Sequence, residues 1–157
     1  MKKPFDFNVY LELKTQYFRS PDPVAKHLNR QAFAEYCYRH REDPDLLADC
    51  IRYCKEDIAE LPILDEYTKA ETAARYKELG YAPRGVAAEE IAHGFTGRII
   101  TLERLAIIEK NRGNYEQSKA LYQQLIDRIA WNDREKDEIA RLERAIAVID
   151  KKIAAKK

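Results

Sequence analysis

The sequence predicts an all-α fold of antiparallel helical hairpins, stacked as a divergent repeat-like array or bundle. Three observations carry that prediction. Asp22-Pro23 and Asp43-Pro44 each put a capping carboxylate before a proline at the first helical position, a recurrent helix-start signal. Ile139, Leu142, Ile146, Ile149 and Ile153 follow alternating steps of three and four residues, the period of one helix face. Five glycines and six prolines in 157 residues supply too few turns for an all-β chain. The length fits a single domain over 1–157, one that buries about two-thirds of its unfolded surface.

Each element follows from local signals. The helix opened by Pro23 runs to about Arg41, and the one opened by Pro44 to about Glu60. Pro62 marks the next break. A third helix reaches Leu79, where Gly80 is a natural left-handed cap. A short helix over Val86–His93 is followed by Gly94 and Gly97, and another runs from Arg98 to Arg112. Asn114 with Gln117, and Asn132 with Glu135, have capping-box spacing for the last two helices, and residues 133–155 form a terminal capping helix. The segment over 1–20 carries two patterns. Phe5, Phe7, Val9, Leu11 and Leu13 alternate with polar neighbours as in a strand, yet a lone strand leaves its backbone groups unpaired. A helix from about Phe7 to Phe18 is favoured over a strand pairing across a dimer.

Composition narrows the function classes. Twenty-eight Lys and Arg against 27 Asp and Glu give a net charge of +1, so no global field steers the chain toward polyanions. The 45% apolar and 35% charged content excludes a disordered chain. No window approaches the roughly 18 apolar residues of a membrane span, and Lys2 through Asn8 hold no apolar signal core. An odd set of three cysteines, Cys37, Cys50 and Cys54, suits reduced thiols, so a cytoplasmic location is expected. Charge is unevenly placed: +4 over residues 1–41, −7 over 42–66 and +4 over 67–157. The acidic block reads as a solvated helix face, with a docking surface for a basic partner as the functional alternative.

Residues 99–132 resemble one tetratricopeptide repeat. Leu102, Leu105 and Ala106 stand at the large, Leu and small positions of its first helix, Gly113 and Tyr115 at the turn, and Ser118, Tyr122 and Leu125 on its second helix. Glu109 in place of an aromatic, Leu125 in place of Ala and Ala130 in place of the closing Pro depart from the motif. The resemblance implies stacked helical hairpins that bind other proteins. Independently, Ile99, Ile100, Leu102, Leu105, Ile107 and Ile108 make this helix apolar nearly all round, so it requires cover on several sides.

No complete catalytic or metal-binding constellation is present. Cys37-x2-His40 and Cys50-x3-Cys54 supply zinc-type ligands. At helical rise, however, His40 lies about 5 Å and Cys54 about 15 Å from the intervening turn, too far apart for one ion. The cysteines are therefore expected in helix–helix packing. Glu90-x2-His93 has di-iron spacing but no second copy, so His93 is expected to serve as a helix-end histidine. No enzyme, cofactor or metal is expected. The leading expectation is a non-catalytic adaptor that binds a peptide or partner protein in a groove between helices. Its candidate contacts are Tyr36, Tyr53 and Tyr67, from the six of ten tyrosines that cluster mid-chain with Tyr38, Tyr76 and Tyr81, and Asn111, Arg112 and Asn114 near the repeat turn. The alternative is a helix-turn-helix DNA binder over 90–105 that presents Arg98, Thr101 and Arg104 after the turn Gly94-Phe95-Thr96.

Overall fold

The computed structural model describes residues 2–156, which form eight α-helices, one 3-10 turn and, among the described residues, no strand. The helices are α1 (Phe7–Phe18), α2 (Pro23–Arg39), α3 (Pro44–Ala59), α4 (Leu61–Leu79), α5 (Val86–His93), α6 (Ile100–Asn111), α7 (Tyr115–Ile129) and α8 (Lys136–Ala155). The chain divides into two compact units, residues 1–97 and 98–157.

In the first unit α2 is central, packing on α1, α3 and α4, and α5 returns onto α4. The caps form where the sequence put them: the Asp22 carboxylate accepts from the Ala25 amide at 2.8 Å, and that of Asp43 from Asp45 at 2.9 Å. The ambiguous first segment is a helix, begun by Asp6, whose carboxylate accepts from the Asn8 amide at 2.8 Å. Pro62 does not mark the break. It is the second residue of α4, where a missing N–H costs nothing, and the chain turns at Glu60 instead. Gly80 closes α4 at φ 72°, a left-handed conformation.

The α2–α3 seam joins apolar packing to a buried ion network. Phe33, Cys37, Cys50, Tyr53 and Cys54 are all buried, with the Cys50 and Cys54 sulfurs 4.0 Å apart. Burial first, then the negative charge of Asp49, pushes the Cys37 thiol up to about 12, which keeps it protonated. Beside them, Asp57 Oδ1 accepts from Arg30 Nε and Nη2 at 3.0 and 2.9 Å and lies 2.9 Å from His27 Nδ1. All three residues are at most 2% exposed. Arg30 Nη1 sits 3.0 Å from Glu60 Oε2, within ion-pair distance but not aligned as a hydrogen bond. Burial would lower the Arg30 guanidinium, but the Asp57 charge, backed by Tyr17 and Glu60, outweighs it and holds the cation.

The second unit is the α6–α7 hairpin with α8 packed on α7. Ser118 donates its hydroxyl to the Ala106 carbonyl at 2.6 Å, so two small residues meet where the hairpin helices come close. Asn114 does not cap α7. Its side-chain amide donates to Glu109 Oε2 at 2.7 Å, and α7 starts without a side-chain cap. Asn132 accepts from the Arg134 amide and opens a 3-10 turn over Asp133–Glu135, so α8 starts at Lys136. On α8, Leu142 and Ile149 are the fully buried members of the apolar stripe. Glu103, buried on α6, accepts from Arg141 Nη1 at 2.7 Å and Arg98 Nη2 at 2.9 Å. Burial raises its carboxyl, but the bonds from Arg141 and Arg98 outweigh it and leave it below the usual carboxylate range.

Two stability predictions follow from these networks. Asp57→Ala leaves the buried Arg30 guanidinium with Glu60 as its one remaining counter-charge and should cost about 3 kcal/mol in denaturant unfolding. The triple change His27→Leu, Arg30→Met and Asp57→Leu should recover most of that loss, because matched apolar side chains leave no buried charge. A triple variant no more stable than Asp57→Ala would contradict this. Glu103, with its lowered carboxyl, contributes stability above the ordinary glutamate value near about 4.3, and loses it as pH falls through the folded value. Glu103→Gln should therefore lose about 2 kcal/mol at neutral pH and show a flatter loss of stability on acidification. An acid limb parallel to that of the unchanged chain would count against it.

Candidate partner-binding groove

Alternating apolar residues become a site once the segment is wound as a helix. At about 100° per residue, Val9 and Leu13 form one stripe, and Phe7 and Leu11 another on the far side of α1. A helix seated on one neighbour cannot cover both. Tyr10 and Tyr17 take the seam toward α3, donating to Asp49 Oδ2 at 2.7 Å and Glu56 Oε2 at 3.1 Å. Phe7 is left 59% exposed and Val9 37%, with Phe5, Leu11 and Phe18 also exposed.

Between α1 and α2, the Val9–Leu13 stripe, with Phe5 and Phe7 where the chain enters α1, borders an open groove of about 880 Å³. Pro4, Phe5, Phe7, Val9 and Leu13 form one wall, and Ala32, Glu35, Tyr36 and Arg39 the other, with Lys3 and Asp6 at the end. Tyr36 fixes the end wall. Its hydroxyl accepts from the Asp6 amide at 2.8 Å and donates to the Asp6 carbonyl at 3.1 Å. The Phe5 ring lies among Tyr10, Tyr36 and His40, with centroids 5.6 to 5.9 Å away.

The acidic block is bound into the first unit. Glu42 pairs with Lys2, Asp49 with Tyr10, Glu56 with Tyr17 and Arg52, Asp57 with Arg30 and His27, and Glu60 with Lys26 and Arg30. Asp65 accepts from the Phe95 amide at 3.1 Å. Glu42, Asp49, Glu56, Asp57 and Glu60 thus bind residues earlier in the chain and Asp65 a later one, while Asp43, Asp45 and Glu66 stay on the exposed surface. Lys14 and Arg41 from the basic first segment lie over the rings of Tyr10 and Tyr38.

Of the residues singled out in the sequence, Tyr36 alone lines this groove. Tyr53 is 3% exposed, its ring edge-on to Tyr17 and Phe33, so it is core. Tyr67 is half-buried on α4. Asn111 is exposed at the end of α6, while Arg112 and Asn114 both bind the Glu109 carboxylate. Arg98 is exposed and paired with Glu103, Thr101 is buried, and Arg104 is engaged within the fold, so the three do not form one open surface. His93 is an exposed last residue of α5. Among the described residues no three His, Cys, Asp or Glu side chains are grouped to hold a metal, and no helix is long and apolar enough to cross a membrane. The residues missed were Phe5, Phe7, Val9 and Leu13. Their signal was the strand-like period inside a segment that had to be helical.

The Tyr36–Asp6 pair generates a local prediction. Tyr36→Phe removes both bonds and should cost about 1 kcal/mol, with faster amide hydrogen exchange at Asp6. Unchanged exchange there would show that the end wall does not depend on the hydroxyl.

Comparison with protein-family models, with curated proteins and with solved structures gave no match for this chain, so its resemblance to the tetratricopeptide repeat rests on the residues quoted from 99–132.

Proposed function

We propose that the protein is a non-catalytic interaction domain that takes an apolar segment of a partner protein in the groove between α1 and α2. The observation that carries this reading is the groove itself, lined by exposed Phe5, Phe7 and Val9. Its volume lies within the roughly 300–1,000 Å³ typical of binding clefts. Exposed aromatic and aliphatic side chains gathered at one concavity are the usual mark of a recognition surface. Two helices that present such a trough suit a partner helix laid along it, with apolar anchors three and four residues apart. The tetratricopeptide-like hairpin over 99–132 serves in this reading as scaffold. Three buried free thiols support a reducing, cytoplasmic setting. The helix-turn-helix alternative draws no support from Arg98, Thr101 and Arg104 as they lie.

The test is affinity capture from the source lysate with the unchanged chain and with Val9→Asp, with and without nuclease. Val9 is more than a third exposed, so the variant should keep its helicity and melting temperature. Proteins retained by the unchanged chain, insensitive to nuclease and lost with Val9→Asp, are expected. Retention by Val9→Asp would move the site off the groove, and loss on nuclease treatment would favour the DNA reading.

A further inference from the structure

The buried ion network of the first unit leaves two polar atoms to account for. Asp57 Oδ1 accepts from Arg30, so His27 Nδ1, 2.9 Å from the same oxygen, is the donor of that contact. In the neutral ring Nε2 is then an acceptor. Neither His27 Nε2 nor Arg30 Nη1 has a hydrogen-bond partner among the described residues, and both atoms are buried. Glu60 Oε2 lies 3.0 Å from Nη1 but off its N–H direction. Buried polar groups are almost always paired, either within the protein or with bound water.

Both residues line one small cavity where α2 meets the turn between α3 and α4, with Asp57, Glu60, Ile63 and Leu64 among its other walls. The centre of a water molecule can move through about 10 Å³ of it, which is room for one. The geometry points to a binding site for a single water, which accepts from Arg30 Nη1 and donates to His27 Nε2 and to the Glu60 carboxylate. The lining selects water over an ion. An anion would face the carboxylates of Asp57 and Glu60, and a cation would face the Arg30 guanidinium. Water is neutral and both gives and accepts hydrogen bonds, and three partners are the usual number for a buried one. Bound there, it ties the turn at Glu60 to α2 and completes the network without adding charge. The site lies on the face of α2 turned away from the groove and does not depend on what the groove binds.

The experiment has two arms. The first is a crystal structure of the intact protein, read for ordered water. A water within hydrogen-bond distance of both His27 Nε2 and Arg30 Nη1 is expected. The second is oxygen-17 magnetic relaxation dispersion of water in solutions of the unchanged chain and of the triple variant His27→Leu, Arg30→Met, Asp57→Leu. An apolar cavity of this size stays dry, so the variant should lose the amplitude of one long-lived water. If the variant does not fold, the crystal structure of the unchanged chain decides alone. A Glu60 carboxylate turned inward to bond Nη1, with no water on Nε2, would overturn the site. So would an ion in the cavity, or a dispersion amplitude equal in the two proteins.

Discussion

The Asp57 carboxylate is the constraint on which the first unit turns. It sits in the seam between α2 and α3, with Arg30 Nε and Nη2 and His27 Nδ1 all within 3.0 Å of one oxygen. A charge in that position is tolerable only while its partners hold their geometry, so the network allows little rotation of α2 against α3. Apolar packing alone would accept a wider range of angles. With His27 and Arg30 turned inward, Ala32, Glu35, Tyr36 and Arg39, at steps of three and four, lie about half a turn away on α2. That face is the one α2 contributes to the groove, so the groove wall is set from the opposite side of the helix.

The same economy governs the rest of the first unit's charge. The basic start of the chain and the acidic run after it are complementary blocks, and folding brings them together helix against helix. α1 reaches α3 through Tyr10 and Tyr17, α2 reaches α3 and its end through Lys26, Arg30 and His27, and α4 holds the Phe95 amide through Asp65. An exposed pair such as Lys2–Glu42 adds little stability, whereas the buried network enforces one arrangement. On α1, what remains outside these pairings is a set of exposed apolar residues, Phe7, Val9 and Leu11.

Local signals in the sequence reached most of the fold. Asp22-Pro23, Asp43-Pro44 and Gly80 mark the element ends because their caps lie within a few residues. Asn114 misled because a competing bond lies close by: Glu109, buried in the last turns of α6, takes its side-chain amide. Pro62 misled because proline is tolerated in a first turn as well as at a break. Tyr53 was legible in principle, since Leu46, Cys50, Tyr53 and Asp57 trace the buried face of α3 at helical spacing. The ion network was not, because nothing local pairs Asp57 with residues 27 and 30 positions earlier. For the site, the useful signal was a conflict, a strand period in a segment with no strand to pair with. That conflict leaves apolar residues on both sides of α1.

The central claim is that recognition takes place between α1 and α2. The most direct measurement is amide chemical-shift mapping of the intact protein titrated with a partner protein captured by the unchanged chain. Shifts confined to the region of residues 4–16 and 32–39, saturating together, are predicted. Shifts concentrated at Arg98–Asn114, with the α1 and α2 resonances unmoved, would contradict the account.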